Sequence, residues 1–154
     1  MKIYKAIKKD HDIQRELCNK ISNTSGDTKE RKELWKKLKK ELEVHAVAEE
    51  RYFYSPLVDS DEMQEDARHG MAEHHEMDKM IAELDDTDMS SPHWLATVKK
   101  LIEKVEHHLE DEEKDFFDKA KDLYSDNEAE SLAKSYEATM NEYRKTWPDS
   151  IPGQ

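Results

Sequence analysis

Five of the eight histidines in this chain carry an acid four residues later, where roughly two would be expected from the acid content alone. Three of these pairs, His45/Glu49, His74/Asp78 and His108/Glu112, interrupt apolar stripes on three separate helical segments, and a fourth segment adds His11 beside Asp10. Residues i and i+4 of an α-helix share a face, about 6 Å apart along the axis, so each pair can aim an imidazole and a carboxylate at one point. Carboxylates and imidazoles turned inward without partners cost several kcal/mol each. A metal centre compensates that cost, and a metal-free network of His–carboxylate hydrogen bonds is the competing reading. Nitrogen and oxygen donors suit iron, manganese or zinc, and Cys18 lies a full heptad from His11, which removes thiolate from the donor set. Four histidines with two or three carboxylates exceed what one tetrahedral zinc requires. They fit two metal ions, with Glu49 and Glu112 free to bridge them.

The other histidines are placed elsewhere. His75 and His107 sit about 100° round the helix from His74 and His108, and His69 about 140° from His74, which favours solvent or a supporting role. His93 follows Pro92 at a helix start and reads as a surface residue. Tyr52 and Tyr54 close the second apolar stripe, where aromatics are more often core or rim residues, with a place near the site as the alternative.

Five helical stretches must position these groups. The first spans about Lys2 to Ser22, with Ile3, Ile7, Gln14, Leu17 and Ile21 inward. The second starts near Asp27 and carries Leu34, Leu38, Leu42, His45, Glu49 and Phe53, with Pro56 expected to stop it before Ser55. The third starts near Ser60, where Ser60-Asp61-Glu62-Met63 reads as a capping signal, and carries Met71, His74, Met77 and Ile81. The fourth begins at Ser91-Pro92, a cap followed by proline at the first helical position, and carries Val98, Val105, His108, Glu112 and Phe116. A fifth stretch, about Asn127 to Thr146, is expected to lie against the outside of a four-helix bundle. Residues 1–147 read as one helical domain and 148–154 as a frayed tail.

The 154 residues are 40% charged with only 3 Gly and 4 Pro, which favours long helices over a β-rich fold. A net charge of -12 argues against nucleic acid, whose phosphates call for clustered cations. Lys36, Lys37, Lys39 and Lys40 do cluster, but acids on neighbouring turns make them a solvated face. No stretch approaches the roughly 18 apolar residues of a membrane span, and no leader-like apolar segment opens the chain. A soluble, cytoplasmic protein is the expectation.

Four ordered blocks resemble the hemerythrin family, in particular its bacterial branch with the HHE cation-binding domain. They are Lys9-Asp10-His11, the run from His45 to Tyr54, Glu73-His74-His75-Glu76-Met77-Asp78, and the run from Val105 to Glu113 followed by Phe116-Phe117. The resemblance implies an up-and-down four-helix bundle holding two iron ions bridged by oxo or hydroxo. Its ligands carry over to His11, His45, Glu49, His74, His108 and Glu112. Two departures stand out. Asp78 takes the place of a second histidine in the third helix, as a direct ligand or a hydrogen-bond partner of one. Glu112 follows His108 by four residues where the family has an Asp at five, the position of Glu113. The Glu-x-x-His signature of ferritin-like sites is absent, since residues 42, 71 and 105 are Leu, Met and Val.

The function implied is that of a non-haem di-iron protein binding O2 or a related small molecule, peroxide or nitric oxide, in oxygen or redox sensing or in detoxification. Signalling would run through a protein partner that the sequence does not name. A catalase- or peroxidase-like enzyme using the same site is the alternative, with Asp78, Glu113 or His75 as proton-transfer candidates, and iron buffering is a third reading. Zinc or manganese could occupy the same donors.

Overall fold

A computed structural model describes residues 1–148. Four long helices, α1 (Ile3–Ser22), α2 (Lys29–Glu49), α4 (Gln64–Asp85) and α5 (Pro92–Asp111), close a bundle in which each packs on the next. Short helices α3 (Ser55–Val58) and α6 (Phe117–Ala120) extend α2 and α5 beyond a π-helical turn in each. The last helix, α7 (Asp126–Thr146), lies along α1 and α2 on the outside of the bundle. No helix among the described residues is long and apolar enough to cross a membrane.

Helix ends follow local chemistry. Thr28 caps α2 by accepting from the Arg31 N–H, and Ser91 caps α5 through Trp94 N–H ahead of Pro92. Ser125 and Glu128 form a capping box at the start of α7. Two expectations change. The Ser60 hydroxyl does not cap α4; its carbonyl accepts from Met63 and Gln64 N–H instead, and the helix starts at Gln64. Pro56 does not end the second helix. It falls in the first turn of α3, just past the π-helical turn Glu50–Tyr54, where a missing N–H costs little. Residues 149–154, most of the expected tail, lie outside the described residues.

A polar layer divides the core in two. On one side Ile3, Ile7, Phe53, Leu57, Phe117 and Tyr136 form one apolar cluster. On the other, Leu38, Trp35, Ile81, Trp94, Leu101 and Val105 form a second. His11, His45, His74 and His108 lie at the boundary, each on a different bundle helix. The far end of the second cluster is pinned by Arg31, which is buried, stacks on Trp94, and donates to Thr24 and the Met89 carbonyl. Lys39 and the Trp35 indole both donate to Asp85 there. The site is thus walled by apolar side chains above and below, and its helices are tied together at the far end of the second cluster.

Candidate metal centre

Helix periodicity brings the expected donors to one layer, and the bundle folds them onto one another. Two groups of donor atoms result: His11, His45, Glu49 and Glu112, and Glu49, His74 and His108, with the atoms of each group within 4.8 Å of one another. Glu49 belongs to both. Its Oε1 faces His74 Nε2 at 3.1 Å and His108 Nε2 at 3.9 Å, while its Oε2 faces His45 Nε2 at 3.4 Å and His11 Nε2 at 4.0 Å. Glu112 also reaches both sides, Oε1 lying 3.1 Å from His11 Nε2 and Oε2 3.3 Å from His108 Nε2. Two carboxylates thus span two histidine pairs.

The hydrogen-bond inventory supports the same reading. His11 Nε2, His45 Nε2, both oxygens of Glu49 and Glu112 Oε1 are buried without a hydrogen-bond partner. Buried polar atoms are rarely left unpaired, and each costs about 1–3 kcal/mol when they are. Here they converge on one layer, and their types suit a borderline metal such as iron, manganese or zinc.

Away from the layer, three of the four histidines turn Nδ1 to a firm partner. His11 Nδ1 lies 2.7 Å from Glu113 Oε2, His108 Nδ1 2.9 Å from Glu73 Oε1, and His45 Nδ1 2.7 Å from the Tyr136 hydroxyl. His74 is the exception, with Glu50 at 3.8 Å and Nδ1 unpaired. Such outer partners keep a proton on Nδ1 and leave Nε2 as the nitrogen that faces inward.

Electrostatics follow from packing acids and imidazoles together. Burial opposes a charge on His11, yet Glu112 and Glu113 outweigh it and raise its pKa to about 9. His108 and His74 are likewise raised against the cost of burial, His108 mainly by Glu112 and His74 mainly by Glu49. Burial favours the neutral form of Glu49, but His45 and the other neighbours hold it well below the ordinary carboxylate range. The raised His11, His74 and His108 imidazoles all face Glu49 or Glu112, so charge pairing across the layer outweighs the cost of burial.

Asp78 stands apart. It is exposed, belongs to neither donor group, and sits at the rim of a cavity of about 10 Å³ lined by Gln14, Leu42, His45, His74, Met77 and Val105. His69, His75, His93 and His107 are exposed, as their helical angles indicate.

Tyr54 is the residue for which the less favoured sequence reading, a place near the site, is the one the structure bears out. It is fully buried, donates to Glu112 Oε2, lies 3.3 Å from His108 Nε2, and stacks on His74 at 5.3 Å. Regular α-helical geometry puts residue 54 about 140° from Glu49. The π-helical turn absorbs one residue and returns the residue five positions on, Tyr54, towards the face of Glu49. The second π-helical turn, Glu112–Phe116, does the same after Glu112, and Phe117 stacks on His11 at 6.1 Å. The two halves of the site therefore match, except that one carries a phenol where the other carries a phenyl ring. Burial and the nearby Glu112 and Glu49 charges raise the Tyr54 pKa well above its usual value.

Glu73 was also missed as a partner of the site, being paired along its helix with His69. Its nearest donor is on α5, and helical periodicity carries no signal for a contact between helices. An open cleft of about 170 Å³, lined by Asp66, His69, Gly70, Glu73, Asp111 and Asp115 among others, leads to His108 and Glu112.

These features define a class: a four-helix bundle with a His- and Glu-lined cation site between two apolar clusters. The chain belongs to the hemerythrin family, since the model of the hemerythrin HHE cation-binding domain matches residues 2–120. It is similar over its length to a solved hemerythrin HHE cation-binding domain-containing protein from Mycobacterium kansasii, with 25% identity and a TM-score of 0.84, covering 95% of this chain and 89% of that one. No curated protein sequence matches the chain significantly.

Proposed function

We propose that this chain is a non-haem di-iron protein whose centre binds O2 or a related small molecule, peroxide or nitric oxide, for redox sensing or detoxification. The observation that carries the reading is the pair of carboxylates, Glu49 and Glu112, each facing a histidine of both groups while both Glu49 oxygens and Glu112 Oε1 are buried without a hydrogen-bond partner. The proposed ligands are His11, His45, Glu49, His74, His108 and Glu112. The Tyr54 phenol is a seventh donor by position, and Asp78 acts from the rim on water or on an entering ligand. Two iron ions held there supply paired one-electron chemistry toward a small oxidant.

The chain's own residues set the conditions for that chemistry. Leu42, Met77 and Val105 keep one side of the site apolar, with a cavity of only about 10 Å³ there. Glu113 and Glu73 hold His11 and His108 in one orientation. With no metal bound, the Tyr54 hydroxyl donates to Glu112, which can take up that proton when the phenol serves as a donor.

A second reading, peroxide turnover at the same site, is favoured by two observations. The cleft that reaches His108 and Glu112 has charged walls, Asp66, Asp111, Asp115 and Lys119, and Tyr54 places an oxidisable, proton-bearing group among the donors. Elemental analysis with the visible spectrum, before and after azide, tests the di-iron reading. Two irons per chain with azide-sensitive charge-transfer bands are expected. No iron after anaerobic ferrous reconstitution overturns it. Rapid O2 release from added peroxide selects turnover, and a long-lived coloured adduct selects binding.

A further inference from the structure

We infer that Tyr136, on a helix beyond the residues the family model matches, positions His45 for metal, so that α7 is a working part of the centre. This deepens the di-iron reading and rests on it. Tyr136 is fully buried, and its hydroxyl has two neighbours: Asp10 Oδ2, to which it donates at 2.5 Å, and His45 Nδ1 at 2.7 Å. A phenol has one proton. With that proton given to the carboxylate, the oxygen accepts from His45, so the ring carries its proton on Nδ1 and Nε2 faces Glu49 with a free lone pair.

Asp10 is itself fixed. Its other oxygen accepts from Arg144 Nη2 at 2.8 Å, and Arg144 is held by Glu41 through bonds of 2.7 and 3.0 Å. The relay from His45 through Tyr136 to Asp10 and Arg144 thus starts and ends on helices of different origin, α2 and α7, with α1 between them. His11 and His108 meet a carboxylate directly, whereas His45 reaches one through the phenol. Packing alone does not require the hydroxyl, since a phenylalanine ring would fill the same space against His45. A fully buried hydroxyl with an anion on one side and an imidazole N–H on the other is an orienting group.

The test compares the wild-type chain with Tyr136→Phe and, as a counterpart on the other histidine pair, Glu73→Gln. Each is loaded anaerobically with ferrous ion, and release to a colorimetric chelator is followed. One of the two ions should leave Tyr136→Phe 10- to 100-fold faster, the usual effect of losing such a partner, while the other leaves at the wild-type rate. Glu73→Gln should free the opposite ion.

A metal-free readout accompanies this: in protein labelled with nitrogen-15 at histidine, the His45 Nδ1–H should give a slowly exchanging downfield proton resonance that Tyr136→Phe abolishes. Asp10→Asn, which keeps the phenol, should weaken the same resonance and serves if Tyr136→Phe does not fold. Wild-type release rates together with an unchanged resonance overturn the inference. If the wild type takes up no metal, the di-iron reading fails, and the resonance still decides whether Tyr136 orients His45.

Discussion

Removing metal should make the stability of this protein fall as pH rises, and His11 sets the scale. In the unfolded chain its imidazole titrates near 6.5; in the fold Glu112 and Glu113 overcome burial and raise it to about 9. A group whose folded pKa is raised stabilises the fold fully below its unfolded pKa, and that contribution disappears as pH climbs through the folded value. At ~1.4 kcal/mol per tenfold change in proton affinity, His11 contributes about 3 kcal/mol, most of it lost between pH 6 and pH 9. His74 and His108 are raised as well and act in the same direction. Urea unfolding of the chelator-treated protein, followed by helical circular dichroism at pH 6 and pH 9, measures the loss. In the loaded protein a cation replaces the proton on Nε2, so the dependence should flatten. Equal unfolding free energies at the two pH values in the metal-free form would refute the idea that protonated imidazoles balance Glu49 and Glu112.

Three further outcomes are expected. Glu112→Ala should abolish two-ion loading, whereas His69→Ala, which changes an exposed side chain, should leave metal content nearly unaltered; equal retention in both contradicts the ligand assignment. Gly70→Ala should destabilise the fold by about 1–3 kcal/mol in thermal melts, because a Cβ there would stand 2.6 Å from the Tyr54 ring. If Tyr54 is a seventh donor, the ferric protein should show a visible phenolate-to-iron band that Tyr54→Phe lacks while the iron count stays at two. An unchanged spectrum would leave Tyr54 as a hydrogen-bond donor to Glu112 only.

Much of this molecule is legible along the chain because helices write their faces into the sequence. The i, i+4 spacing of His45 with Glu49 and of His108 with Glu112 survives folding, since it depends only on turns of a single helix. The apolar stripes that carry His11, His45, His74 and His108 are enough to call a bundle with an inward polar layer. The exposed faces of His69, His75 and His107 follow from the same angles.

What tertiary structure alone decided falls where that periodicity breaks or where two helices meet. Two π-helical turns shift the phase by one residue and bring Tyr54 onto His74 and Phe117 onto His11, which no regular repeat predicts. Asp78 keeps the helical spacing of a ligand to His74, yet its side chain ends at the exposed rim. Glu73 finds His108 and Tyr136 finds His45 across 35 and 91 residues of chain. Such contacts are set by the packing of one helix on another, and nothing in the local pattern of either helix encodes its partner.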